Sequence, residues 1–151
     1  MYQRILAATD LSKFGNQAVA HAARLALLTR ARLLIAHVIE YDRFESHYFI
    51  EWHANPLADE KRRADAVARA RADLARLVPP RFPRKRAGLI AEVHPTAPAG
   101  LLAIAERERA DLLVLASHGL GGFRHLILGS TPEKVLREVS CPILLLKEPR
   151  S

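Results

Sequence analysis

The chain has 151 residues, a length that fits one domain able to bury about 68–70% of its unfolded surface, so no disulfide or metal staple is required. Half of the residues are apolar and Cys141 is the only cysteine, which excludes an internal disulfide and fits a reducing compartment. The formal net charge is +7, yet the basic residues are dispersed among acidic neighbours, apart from a cluster of Arg81, Arg84, Lys85 and Arg86 set among prolines. No aromatic-interleaved basic run accompanies that cluster, so it reads as a solvated face and no nucleic-acid partner is expected, although the charge would attract anionic ligands.

In chain order, Arg4 to Thr9 contains the apolar run Ile5 to Ala8, a first strand that ends at Asp10. The run is too short for a signal-peptide core or a membrane span, which gives the expectation of a cytoplasmic protein without membrane insertion. Ser12 is the predicted N-cap of a helix from Lys13 to about Arg30, with Phe14, Ala18, Ala22, Leu25 and Leu28 recurring at helical spacing. Leu33 to Ile39 is the second strand, and its His37 reads as a satisfied histidine rather than a base. Glu40 to Pro56 is the least regular part, with Tyr41, Phe44, His47, Tyr48, Phe49, Trp52 and His53 crowded together. The first reading of this part is a surface segment covering the core or a subunit contact. A ligand lid is the second, and a metal site of His47, Glu51 and His53 is the third, because these residues lack a compact repeated ligand pair.

Ala58 to Val78 is helical in pattern, with Ala66, Ala70, Leu74 and Leu77 on one face, and Pro79 and Pro80 end it. Leu89 to Val93 is a third strand. Pro98 to Arg109 is a helix that packs through Leu101, Leu102 and Ile104. Leu112 to Ala116 is an unbroken apolar run suited to a parallel strand buried on both faces, and a glycine-bearing loop follows. Ser130 stands three residues before Glu133, a capping-box spacing, while Pro132 suits a first helical position if Thr131 is the cap. The helix therefore starts at Ser130 or Thr131, and it stops by Cys141 because Pro142 follows. Ile143 to Leu146 is the last strand.

Strands alternating with helices imply a mainly parallel sheet with helices on both faces and right-handed crossovers. The chain reads as one domain over residues 1–151, with no repeat or linker. Ligands in such folds sit beyond the carboxyl ends of the strands at the switch in strand order, which brings forward Thr9, Asp10, Val38 and the stretch from Ala116 to Gly119. A helix start offers unpaired N–H groups and the positive end of the macrodipole, Gly129 permits close approach of a phosphate, and Ser130 and Thr131 add hydroxyls. Asp10 would accept hydrogen bonds from a sugar hydroxyl or base amine; the alternative is that it caps the first helix. There is no P-loop lysine, dinucleotide fingerprint, nucleophile elbow or catalytic Ser/His/Asp or Cys/His order, so no catalytic residue is assigned. His118 is the candidate for slow acid/base assistance to hydrolysis, with a structural role at the loop start as the favoured reading.

Asp10 after an apolar strand and before Ser12, His37-Val38 at the end of strand two, Ser117-His118-Gly119 after strand four, Gly129-Ser130 ten residues on, and Cys141-Pro142 before the last strand together resemble the universal stress protein family. Its nucleotide-binding members carry Gly, two residues, Gly, nine residues, then Gly-Ser or Gly-Thr. Here Ala116, Gly119 and Gly129-Ser130 occupy that pattern, with alanine replacing the first glycine and an expectation of weakened or reshaped binding at most. The resemblance implies a three-layer α/β sandwich whose five-stranded sheet runs in the order 3-2-1-4-5. It also implies ATP with Mg²⁺ between strands one and four. Asp10 and the Val38 backbone would hold adenine and ribose. Ala116, Gly119, Gly129, Ser130 and Thr131 would surround the phosphates, with Ala8, Thr9, Ser117 and His118 completing the site. It further implies a homodimer through Ile143 to Leu146 and an unidentified protein partner. The function it implies is nucleotide-dependent regulation in stress response with at most slow hydrolysis, or else a nucleotide-independent dimeric scaffold of the same fold.

Overall fold

A computed structural model of the chain describes residues 1–40, 56–118 and 128–147. Its elements are β1 (Arg4–Ala8), α1 (Lys13–Thr29), β2 (Arg32–Glu40), α2 (Pro56–Leu77), a single 3₁₀ turn at Arg84–Arg86, β3 (Ala87–His94), α3 (Ala97–Arg107), β4 (Leu112–Ala116), α4 (Ser130–Glu138) and β5 (Ile143–Leu146). The five strands form one sheet in the order β3-β2-β1-β4-β5, with every neighbouring pair parallel. The chain winds outward from β1 through β2 to β3, then crosses back to β4 and β5 on the other side. The order of strands therefore reverses between β1 and β4.

Strand residues alternate between two cores because successive side chains point to opposite faces. Ile5, Ala7, Leu33, Ile35, Leu112 and Val114 pack on one face against Ala18, Val19 and Ala22 of α1 and Ala70 and Leu74 of α2. Leu6, Leu34, Ala36, Val38, Leu113 and Leu115 pack on the other against Leu101 and Ile104 of α3 and Val135 of α4. This double burial explains why β1 and β4 are continuous apolar runs rather than alternating ones.

The helix ends follow from local chemistry. Ser12 Oγ accepts from Gly15 N at 3.0 Å and starts α1. The buried face of α1 is made of small residues, Gly15, Ala18, Val19, Ala22, Ala23 and Ala26. Of the residues expected on this face, Ala18 and Ala22 are buried and Phe14 and Leu25 pack against the core, whereas Leu28, read from its spacing as a packing residue, is 80% exposed. Thr96 Oγ1 accepts from Ala99 N and starts α3 at Ala97. β3 begins at Ala87 rather than Leu89, because Ala87 and Gly88 pair with Leu33 and Leu34 of β2. In the basic cluster, Arg81, Arg84 and Lys85 are exposed. Arg86 instead donates to the carbonyls of Ala26 and Ala31 and lies 5.3 Å over the Phe82 ring, so it braces the end of α1.

Candidate functional site

The crevice lies where β1 stops. Thr9 N donates to Ala36 O at 3.0 Å as the last rung toward β2, while the next acceptor, Thr9 O, takes a hydrogen bond from His37 Nδ1 at 2.9 Å. A carbonyl can only accept, so His37 carries its proton on Nδ1 here. Backbone groups along a strand point to the same neighbour at every second residue. Because Ala36 faces β1, Val38 faces the same way, two residues past the last paired positions Ala8 and Ala36. The Val38 side chain is buried under α3, where a methyl added to Gly100 would meet Val38 Cγ1 at 2.7 Å. What Val38 presents toward the crevice is its backbone.

The turn after β1 is held by its own side chains. Thr9 Oγ1 accepts from Leu11 N at 2.9 Å and donates to Asn16 Oδ1 at 2.8 Å. Asp10 Oδ1 accepts from Ser12 N at 3.0 Å. Leu11 adopts a left-handed backbone, φ 65°, a conformation that costs a non-glycine residue roughly 1–2 kcal/mol and persists where neighbouring bonds over-determine it. Ser12, not Asp10, is the N-cap of α1. Asp10 shapes the turn that leads into the cap and sits half-buried at the crevice.

From the other side, Ser117 N donates to Leu146 O at 2.8 Å, and Ser117 O accepts from Gly129 N at 2.9 Å. The second bond ties the start of α4 to the end of β4. A Cβ on Gly129 would meet Ser117 O at 3.4 Å and His118 Cα at 3.7 Å. The His118 ring stacks on Phe14 of α1, with centroids 4.6 Å apart and planes at 26°, and its Nδ1 lies 3.2 Å from Ser117 Oγ. The starts of α1 and α4 are thus drawn to the carboxyl ends of β1 and β4.

Gly129 is the N-cap of α4, with no side chain bonding the first turn, so neither Ser130 nor Thr131 is the cap. Ser130 and Thr131 are the first two helical residues, and Pro132, which has no N–H, is the third. The capping box does not form because Glu133 is held elsewhere: its Oε1 accepts from Arg137 Nη2 at 2.7 Å, while its N–H closes the first helical bond to Gly129 O at 3.0 Å. The N–H groups of Ser130 and Thr131 therefore form a pair of donors at the positive end of the helix.

Ala8, Thr9, Asp10, Val38, Ala116, Ser117, His118, Gly129, Ser130 and Thr131 all fall at this end of the sheet, at the ends of β1, β2 and β4 and the start of α4. Gly119 and the segment Tyr41 to His53, with its metal and lid readings, lie outside the described residues. Ala116 packs its methyl into the core on the α1 side, whereas α4 packs on the opposite face through Val135, so the methyl is not directed at the helix start. Phe14, Gly15, Asn16 and His37 are the residues of this region that spacing alone did not assign to it. Among the described residues no group of three His, Cys, Asp or Glu is placed to hold a metal ion, and no helix is long and apolar enough to cross a membrane.

Comparison with known proteins agrees with this architecture. The sequence model of the Universal stress protein family matches residues 1–147. The chain is 34% identical over 149 residues, 97% of its length and 100% of the relative's, to the universal stress protein in the QAH/OAS sulfhydrylase 3′ region of Thermus aquaticus. The solved structure of MJ0577 from Methanocaldococcus jannaschii superposes with a TM-score of 0.72 at 24% identity, covering 100% of this chain and 99% of that one. A universal stress protein crystallised in complex with cAMP superposes with a TM-score of 0.63 at 23% identity, covering 97% of each chain.

Proposed function

This chain belongs to the universal stress protein family, and from that premise we propose that it binds ATP in the crevice between β1 and β4 and acts as a nucleotide-dependent regulatory dimer. The observation that carries the reading is the start of α4, capped by Gly129 with no side-chain hydrogen bond, whose Ser130 and Thr131 N–H groups are fastened beside the end of β4 by the bond from Gly129 N to Ser117 O, 2.9 Å long. A helix start left open at a strand-order switch suits phosphate oxygens. The outward-facing backbone of Val38 and the carboxylate of Asp10 suit the hydrogen-bonding edges of adenine and ribose. The family member complexed with cAMP supports an adenine nucleotide as the ligand class.

Mg²⁺ would enter with the triphosphate and be held mainly by its oxygens, as this ion commonly is. It would supply charge neutralisation for the phosphates. The chain's own part is to bind and orient: Gly129, Ser130 and Thr131 toward the phosphates, Ser117 and His118 at the strand end, Thr9 and Asp10 at the opposite wall. Replacement of the family's first glycine by Ala116 is compatible with binding because the methyl packs away from α4.

The dimer would form through β5, which among the described residues pairs only with β4 and keeps all four of its residues half-buried. An apolar edge of this kind calls for cover. Mass spectrometry of ligand released from protein purified without added nucleotide is expected to show an adenine nucleotide. A protein that releases none, and takes up none on dialysis against ATP, would instead be a nucleotide-independent scaffold. Sedimentation at micromolar concentration is expected to give a dimer, and a monomer there would remove the dimeric part of the proposal.

A further inference from the structure

The opposite end of the sheet, where the strands begin, carries an open cavity of about 370 Å³ lined by Arg4, Arg32, Arg107, Glu108 and Arg109. Four arginines and one glutamate line it. These arginines come from the start of β1, the start of β2, the end of α3 and the turn after it, so the sequence shows only Arg107 and Arg109 together. The nearby carboxylates pair with Arg107 of this lining or with backbone N–H groups, and not with the other three guanidiniums. Glu92 holds Arg107 through two bonds of 2.6 and 3.2 Å, and Glu108 accepts from Arg107 Nε at 3.2 Å. Both oxygens of Asp111 accept backbone N–H groups, from Gln3 at 2.7 Å and Arg4 at 3.0 Å. No described residue forms an ion pair with Arg4, Arg32 or Arg109.

Two further features set this arrangement apart from a solvated basic face. Arg4 and Arg32 are direct register partners on adjacent strands, a placement in which like charges repel. Arg109 has a left-handed backbone, φ 51°, in the turn that ends α3, where Arg109 N donates to Glu106 O at 3.0 Å and Ala110 N to Ala105 O at 2.9 Å. That position favours glycine, yet the chain places a guanidinium there. Arginines near a helix C-terminus can complement the helix dipole, which accounts for Arg107 and Arg109. It does not account for Arg4 and Arg32 at strand starts.

We infer that this cavity is a second anion site, separate from the β1–β4 crevice, which takes a small multivalent phosphate through Arg4, Arg32 and Arg109. Planar guanidinium forks match phosphate oxygens two at a time, and an anion bridging the three would relieve their mutual repulsion. The volume lies at the lower end of the range for small-molecule pockets, about 300–1,000 Å³. It suits a di- or triphosphate group rather than a length of polymer.

Tripolyphosphate titrated into the full chain at low salt, followed by amide NMR shifts, tests the inference. Saturable shifts are expected at Gln3, Arg4, Arg32, Glu108 and Arg109, separable from any at Ser130 and Thr131. The variant Arg4→Gln/Arg32→Gln should bind at this end about tenfold or more weakly, as loss of charge-assisted hydrogen bonds implies, with the Ser130 and Thr131 signals responding as in the wild type. Arg109→Gly removes a guanidinium while relaxing the backbone, so it should melt no lower than the wild type and still bind about fivefold or more weakly. Absence of saturable shifts at these residues in the wild type would overturn the inference. So would affinities within twofold of wild type in both variants, or binding of duplex DNA here without binding of tripolyphosphate.

Discussion

A single methyl group at Gly15 reports on the geometry of the candidate site. A Cβ there would lie 2.5 Å from Asp10 Oδ1, 2.9 Å from Thr9 Oγ1 and 3.2 Å from Ser12 Oγ. All three oxygens already accept hydrogen bonds that build the turn, from Ser12 N, Leu11 N and Gly15 N respectively. The Asp10 carboxylate has to move by several tenths of an ångström, and its bond to Ser12 N is broken or bent. A hydrogen bond to a charged group contributes about 1.5–3 kcal/mol, whereas Gly→Ala within a helix gains at most about 1 kcal/mol. Gly15→Ala should therefore lower stability by about 1–2 kcal/mol, read as a shifted midpoint in urea unfolding with an unchanged slope. ATP affinity should fall with it, because Asp10 is displaced from the crevice wall. In an Asp10→Ala background the same substitution should cost less, since the nearest oxygen is gone. A Gly15→Ala protein as stable as the wild type, or more stable, would refute the close packing of this turn.

Asp111→Ala frees the backbone N–H groups of Gln3 and Arg4, bonded at 2.7 and 3.0 Å, and should cost about 1–2 kcal/mol in the same unfolding assay. Glu92 is held below the usual carboxylate range, first by its hydrogen bond from the Arg107 guanidinium and also by His94, against the opposing effect of burial. A lowered folded-state pKa stabilises the fold above the unfolded-state value, near pH 4.3, and that stability is lost as pH falls through the folded-state value. The pair is partly solvated, so the effect should stay within about 1 kcal/mol. Glu92→Gln should flatten the fall in stability below about pH 5 seen in urea titrations of the wild type, and an identical pH profile would sink this assignment.

The fold was largely legible because two-sided burial writes itself as unbroken apolar runs. Leu112 to Ala116 and Ile143 to Leu146 have the bounds their hydrophobicity predicts, and Ser12 caps α1 as its position suggests. Misreadings arose where a tertiary partner outweighed local preference. Ala87 and Gly88 look like a break yet join β3 because β2 supplies their ladder. Ser130 and Glu133 have capping-box spacing, but Arg137 one turn on takes the Glu133 carboxylate and Gly129 becomes the cap. At the candidate site, Asp10 and Gly129-Ser130 stand out in the sequence as motif chemistry. The ring of His118 on Phe14 and the diversion of Thr9 O to His37 join residues far apart in sequence, with no local signature. The same holds for Arg4 and Arg32 of the cavity, which strand order places beside each other and near Arg107 and Arg109. The cluster visible in the sequence contributes Arg86, a brace for α1.

Calorimetric titration of ATP into the wild type and into Asp10→Ala tests most directly whether the β1–β4 crevice is a nucleotide site. Saturable binding to the wild type is expected, with a loss of about 1–3 kcal/mol in the variant from one or two missing hydrogen bonds, roughly fivefold to 150-fold in affinity, and unchanged circular dichroism. No binding to the wild type at millimolar ATP, or equal affinity in the two proteins, would contradict it.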